Sequence, residues 1–356
     1  MITEKVAVII PAYKPDEKLL GTLSSLADTG FKKILVIDDG SGAEFEPIFE
    51  QVKTIQNCIL LRHEVNRGKG AALKTAFRYF LDNLSDMEGV VTADADGQHL
   101  TNDIIATAEK MIKTGKVVLG CRDFSQKDVP ARSRNGNRIT SAVFKIFFGM
   151  KISDTQTGLR AFPGKYLTPI LTADGDRYEY ETNMLFLMNK QNIPYAEVKI
   201  ATVYIEENKS SHFRVVRDSI RIYSLIIKYL FSAVAALIID LGVFHIINLA
   251  GIFAFMGAAH TVMPQVIARV ASSACNYMMN AKVVFKDKMS KATLIKYYTL
   301  AVIQLAVGSG AVALISWGLG LADYKWLELL ANLIVQMIIY PISFRIQHKW
   351  VFNSKK

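Results

Sequence analysis

The sequence predicts a chain of two kinds: a mostly parallel α/β sheet domain over residues 1–207, then an all-helical domain over 229–353 that crosses a membrane four times. A basic amphipathic stretch, 208–228, joins them. Three observations carry this. Short apolar runs alternate with helix-period segments in the first half, as in sheets covered on both faces. Apolar stretches of about twenty residues fill the second half, the length that spans a bilayer. Lysine and arginine are unevenly shared among the loops between those stretches.

Taken in order, Val6–Ile10, Ile34–Ile37, Ile59–Leu61, Val90–Ala93 and Val117–Gly120 read as strands, bounded by polar or turn residues. Helical patterns lie between them at about 16–28, 68–83 and 101–114. Open sheets of this kind bind ligands at the C-terminal ends of their strands. The residues to inspect are therefore Pro11–Tyr13, Asp38–Ser41, Asp94–His99 and Arg122.

The four expected spans are about 226–250, 261–284, 297–319 and 327–344. Lys282, Lys286, Lys288, Lys291 and Lys296 lie between the second and third, and Arg345, Lys349, Lys355 and Lys356 follow the fourth. The loop at 251–260 has no Lys or Arg, and that at 323–328 has only Lys325. The positive-inside rule then expects both termini in the cytoplasm of an integral protein of the cell membrane. A strand-like run within a few residues of Met1 leaves no signal peptide to expect, which puts the first domain on the same side. Asp240 and Arg269 would sit roughly 12–16 Å deep at 1.5 Å per residue, where lone charges are costly, so they are expected to pair.

Composition narrows the functions. The formal charge is +10 and the chain is 51% hydrophobic. A basic balance suits nucleic acid, an anionic membrane or phosphorylated substrates, and the apolar half favours a membrane with phosphates at its surface. No nucleic-acid partner is expected, since clustered surface aromatics are lacking and such binding leaves four spans unexplained. Cys58, Cys121 and Cys275 are scattered, which excludes a disulfide framework and a zinc knuckle.

The strongest chemical signal is Asp94-Ala95-Asp96-Gly97-Gln98-His99 after an apolar run. Two carboxylates one residue apart at a strand end can converge on a hard divalent cation such as Mg²⁺ or Mn²⁺, with Gln98 adding an oxygen. A bare DxD is equally often a solvated turn. The acidic turn Asp38-Asp39-Gly40-Ser41 could accept hydrogen bonds from a ribose or base, and Asn66-Arg67-Gly68-Lys69-Gly70 could receive an anion at a helix N-terminus. After strand five, Arg122 and then Arg132, Arg134 and Arg138 form a basic loop suited to a second phosphate.

With VIIPAYKPDEKLL, ILVIDDGS, NRGKGAAL, DADGQH and DTQTGLRAF in this order, residues 1–220 resemble a family 2 glycosyltransferase of the Rossmann-like GT-A fold. The subgroup resembled is that of dolichyl-phosphate mannose synthase and bacterial polyprenyl-phosphate glucosyltransferases. The resemblance implies a UDP- or GDP-linked nucleotide-sugar donor contacted by Pro11, Tyr13, Glu17, Asp39, Asp94 and Ala95. It implies a metal on Asp94, Asp96 and Gln98, and an acceptor lipid phosphate and sugar held by Arg122, Arg134, Arg138, Asp154 and Arg160, with a looser match at Lys209. Asp94, Asp96 and Arg122 would carry catalysis, by a single displacement with inversion onto polyprenyl phosphate. Thr157 and Leu159 stand where relatives often have Ser and Phe. Residues 225–353 resemble a GtrA-like four-span domain through KYLFSAVAALIIDLGVF, RVASSACNYMMNAKVVF and FRIQHKWVF, which implies anchoring and leaves export of the product open.

A processive polysaccharide synthase would carry a QxxRW-type motif, which is missing. A transporter whose soluble domain only binds nucleotide sugar is disfavoured by the intact DxD and the basic loop. A homo-oligomer is compatible with the sequence, which carries no signal for stoichiometry.

Overall fold

The computed structural model describes residues 1–126, 129–202, 224–253, 255, 261–320 and 324–353, without the side chains of Arg132 and Lys325. The chain divides into Met1–Ile222 and Tyr223–Lys356.

In the first unit, seven strands form one sheet: β1 (Val6–Ala12), β2 (Ile34–Asp38), β3 (Cys58–Arg62), β4 (Gly89–Thr92), β5 (Val117–Arg122), β6 (Arg160–Pro163) and β7 (Tyr195–Ile200). Their order is β3-β2-β1-β4-β6-β5-β7. All pairs are parallel except those of β6, which runs antiparallel between β4 and β5. The central strands β1 and β2 are almost entirely buried, which is why their sequences are continuous apolar runs and not alternating ones.

The helices are α1 (Ile2–Lys5), α2 (Lys18–Asp28), α3 (Glu46–Thr54), α4 (Lys69–Asn83), α5 (Thr101–Thr114), α6 (Ala131–Val143), α7 (Leu167–Leu171) and α8 (Glu179–Lys190). One core cluster joins Val6, Val8 and Ile10 of β1 to Leu19 and Leu23 of α2, Phe49 of α3 and Ile104 of α5. The period of two turns Ala7 and Ile9 to the other face, where α4 packs on β1 and β2. Two strands were not expected. β6 has only four residues and lies within the DTQTGLRAF string, and β7 is half-buried and carries Glu197 and Lys199. Inserting β6 parts the ends of β4 and β5, so the Asp94 turn and Arg122 lie two strands apart.

The second unit has α9 (Ser224–Leu249), α10 (Val262–Met279), α11 (Lys291–Gly318) and α12 (Lys325–Ile346). Among the described residues three helices, 224–249, 291–318 and 326–351, are long and apolar enough to cross a membrane. The expected second span is a helix of a different kind. Gln265, Arg269, Ser272, Asn276 and, just beyond α10, Asn280 recur at three- and four-residue spacing, so one face is polar along the whole length.

That face is paired inside the bundle. Asn280 is 1% exposed. Its Oδ1 accepts from Ser232 of α9 at 2.6 Å, and its Nδ2 donates to Asn276 Oδ1 at 2.6 Å and to Gln347 Oε1 at 3.0 Å. Gln347 donates onward to Tyr229 and Ser343, and Tyr297 of α11 donates to Asn276. One network thus ties all four helices. Removing its hub leaves several buried partners unpaired, so Asn280→Ala is expected to lower stability in detergent by about 2 kcal/mol. Thermal unfolding of the purified full chain checks this, and an unchanged midpoint would contradict it.

Asp240 and Arg269 do pair, with Nη2 to Oδ2 at 3.3 Å, and Ser272 Oγ donates to Asp240 Oδ1 at 2.9 Å. Asp240 is the more enclosed partner, so its loss of Arg269 should be felt more than the reverse. Arg269→Ala is expected to reduce the yield of folded protein, and Asp240→Asn in the same chain to restore part of it. Yields by fluorescence-detected chromatography decide, and equal yields of Arg269→Ala and wild type would contradict the pairing's structural role.

Candidate active site

The ends of β1, β2 and β4 form the floor of one cleft. Pro11 and Tyr13 contribute from β1, Asp39 from β2, and Asp94, Ala95 and Asp96 from the turn after β4. Asn66, Gly68 and Lys69 close one wall, and Arg177 and Tyr178 another. Five of the six residues expected at the donor are thus brought together, along with Asp96 of the expected metal set. Glu17 is not: it is exposed at the start of α2, outside the lining.

Asp94 is fully engaged. Lys69 Nζ lies 2.6 Å from its Oδ1 and 3.0 Å from Glu181 Oε2, and His99 Nε2 lies 3.3 Å from its Oδ2. Burial opposes ionisation of Asp94, but Lys69 and His99 outweigh it and hold the carboxyl well below the usual range. The same carboxylates hold Lys69 charged against its burial. Asp96 differs. Burial and the negative charge of Asp94 both push its pKa up, and Gln98 N donates to its Oδ1 at 3.0 Å.

This donor set fits a divalent cation. The carboxylates of Asp94 and Asp96 line the cleft and supply hard oxygens, and a cation would relieve the repulsion between them; Gln98 belongs to the same turn but lies outside the lining. Among the described residues no group of three or more acidic, His or Cys side chains is placed to hold a metal.

Asp39 is 2% exposed and saturated by the protein. Its Oδ1 accepts from Arg67 N at 3.0 Å and lies 2.7 Å from His63 Nδ1. Its Oδ2 accepts from Asn66 Nδ2 at 2.9 Å and Gly68 N at 2.7 Å. His63 Nε2 meets Thr75 Oγ1 at 2.9 Å. In this structure Asp39 therefore fastens the loop ahead of α4.

Two of the amides expected to receive an anion at Asn66–Gly70 are taken by the protein: Asp39 accepts from Gly68 N, and Ala71 N donates to Asp176 O at 2.9 Å. The glycines serve close packing. A Cβ on Gly68, whose φ is +106°, would lie 2.4 Å from Asp176 O, and one on Gly70 would lie 2.5 Å from Tyr180 Cβ. Segment 175–180 lies on the start of α4, further held by Lys74 Nζ on Gly175 O and Asp176 Oδ1.

The acceptor-side residues fall at the ends of β5 and before β6. Arg122 grips Asp154 through a fork, Nε to Oδ2 at 2.7 Å and Nη2 to Oδ1 at 3.1 Å. Asp154 is wholly buried and also accepts from Gln156 N. Arg160 is 2% exposed and donates to the carbonyls of Thr157 and Glu181, with Thr155 more distant at 3.4 Å. Burial lowers its pKa, with Glu181 and Asp154 opposing. It braces the 154–158 loop from within. Arg134 is likewise turned to carbonyls, donating to Phe124 O at 3.0 Å and Gln126 O at 2.8 Å. Arg138 is exposed on α6. Lys209 and residues 208–223 of the expected interfacial helix lie outside the described residues. His63, Glu181 and Arg177 were not singled out from sequence, because their partners lie far along the chain.

A cleft at the strand ends of an α/β sheet is where such sheets bind ligands, and here it belongs to a chain that also carries three helices long and apolar enough to cross a membrane. The glycosyl transferase family 2 model matches residues 7–171, and that of the GtrA/DPMS transmembrane domain matches 228–352. The chain belongs to glycosyl transferase family 2 and carries a GtrA/DPMS transmembrane domain. It is 31% identical to an uncharacterised protein of Methanocaldococcus jannaschii, over 64% of this chain and 93% of that one. It is 30% identical to a UDP-N-acetylglucosamine–dolichyl-phosphate N-acetylglucosaminyltransferase of Methanococcus voltae, covering 58% and 88%. It is 29% identical to a dolichyl-phosphate beta-glucosyltransferase of Dictyostelium discoideum, covering 61% and 73%.

Proposed function

We propose that this glycosyltransferase moves a hexose, with inversion, from a UDP-glucose- or GDP-mannose-type donor to a polyprenyl (undecaprenyl or dolichyl) phosphate at the cytoplasmic face of the cell membrane. The observation that carries the reading is the convergence of Asp94 and Asp96 with Pro11 and Tyr13 in one cleft. Asp96 and Gln98, with Asp94 beside them, would hold Mg²⁺ or Mn²⁺, and such an ion supplies Lewis-acid stabilisation of a leaving diphosphate. The remaining work belongs to the chain. Lys69 and His99 fix Asp94. Asp154 holds Arg122, which would take the acceptor phosphate. A phosphate monoester is largely dianionic at neutral pH, so it needs positioning and charge stabilisation more than a base.

A second reading, a UDP-N-acetylhexosamine donor, is favoured by the relative from Methanococcus voltae, whose name gives that donor. Release of nucleoside diphosphate from a panel of donors, with and without polyprenyl phosphate, separates the two. Release from one donor that rises with the lipid is expected. Lipid-independent binding without release would favour a transporter that only senses nucleotide sugar. Cytoplasmic placement predicts that protease added to sealed right-side-out vesicles spares residues 1–207, and their digestion would contradict it.

A further inference from the structure

We infer that Arg177 is a further donor-binding residue, whose guanidinium takes the diphosphate of the nucleotide sugar. The inference rests on the donor reading above. Arg177 lies in none of the motifs that marked the site, yet it lines the same cleft as Tyr13, Asp94 and Asp96. It arrives there on segment 175–180, which the small residues at 68 and 70 allow to lie directly on the start of α4. Three hydrogen bonds pin that segment: Ala71 N to Asp176 O, and Lys74 Nζ to Gly175 O and Asp176 Oδ1.

The side chain is aimed as well as delivered. Its Nη1 donates to Asn66 Oδ1 at 3.3 Å, while Asn66 Nδ2 donates to Asp39 Oδ2 at 2.9 Å. Buried Asp39 thus orients Asn66, and Asn66 orients Arg177, which leaves less to order when a ligand binds.

Charge explains why the residue is basic. Lys69, the cation nearest Asp94, is already shared between Asp94 and Glu181. Among the described residues the Arg177 guanidinium hydrogen-bonds only to a neutral amide, and its charge is not cancelled by a carboxylate. A diphosphate entering the cleft meets the carboxylates of Asp94 and Asp96. A planar guanidinium can give two parallel N–H bonds to its oxygens, a geometry that lysine lacks.

The test uses the full chain in detergent with Mn²⁺. Calorimetric Kd values for UDP, GDP and the matching nucleosides are compared among wild type, Arg177→Gln and Arg177→Lys, and the KM for polyprenyl phosphate is measured alongside. Arg177→Gln is expected to weaken the preferred diphosphate by about tenfold or more, in line with loss of a charge-assisted hydrogen bond. The nucleoside should bind as before, Arg177→Lys should recover part of the loss, and melting temperatures should match. Unchanged diphosphate affinity in Arg177→Gln would overturn the inference. So would a defect confined to the KM for polyprenyl phosphate, which would place the guanidinium at the acceptor instead. A wild-type chain that binds neither UDP nor GDP would overturn the donor reading itself.

Discussion

Asp96→Asn is expected to lower sugar transfer by about three orders of magnitude while the protein melts at the same temperature or slightly higher. The two halves of this expectation have one cause. Asp96 is half-buried beside Asp94, and both its burial and that neighbour's charge make its ionised form costly. The cation proposed above would offset that cost. Asn is nearly isosteric, keeps an oxygen that Gln98 N can donate to, and removes the repulsion. The sign for stability follows: a carboxyl whose pKa is raised on folding begins to destabilise the fold as pH rises above its unfolded pKa and does so fully above its folded pKa, and the amide escapes that cost. Asp94→Asn should behave differently. It takes a charge from Lys69 and His99, so it should lose stability as well as activity. Transfer rates and melting curves for the two variants check this, and an Asp96→Asn rate within tenfold of wild type would contradict the role.

Gly158→Ala is expected to cost about a hundredfold in transfer with secondary structure intact. A Cβ there would lie 2.3 Å from Asp94 Oδ2 and 2.6 Å from Oδ1. Asp94 cannot swing aside freely, because Lys69 and His99 hold its two oxygens. The backbone of Gly158 is itself fixed, since Thr92 Oγ1 donates to its carbonyl at 2.7 Å. The added methyl group therefore forces Asp94 away from Lys69 and His99 or shifts the loop at 158, and either disturbs the cleft. Gly21→Ala is the control: nothing lies within 4 Å of its Cβ position in α2, and it should leave activity unchanged. Circular dichroism and transfer rates decide. Wild-type activity in Gly158→Ala would show that the Asp94 position is not critical.

How far the sequence could be read follows from what each element depends on. β1, β2, β4 and β5 were legible because strands buried on both faces must be continuously apolar. β6 and β7 were not, since one is very short and the other carries charges at a sheet edge. Asp94, Asp96 and Tyr13 were found because their turns follow legible strands. His63, Glu181 and Arg177 act through partners many residues distant, which no local pattern reports. The glycines at 68 and 70 carry a packing demand that local sequence does not distinguish from an anion site, since a phosphate and a packed segment both require a missing Cβ. In the membrane half, depth alone foretold the Asp240–Arg269 pair. The polar stripe of α10 gave the helix away only partly, because the span was judged by length and not by its paired face.

The most direct measurement incubates the full chain in polyprenyl-phosphate-containing bilayers with Mn²⁺ and a donor labelled in the sugar, then counts label in the lipid phase. Label that enters the lipid with wild type, falls to background with Asp96→Asn, and is absent when polyprenol replaces polyprenyl phosphate is the predicted result. Donor bound by the wild type with no label in the lipid, from any UDP- or GDP-linked sugar, would contradict transfer to a lipid phosphate.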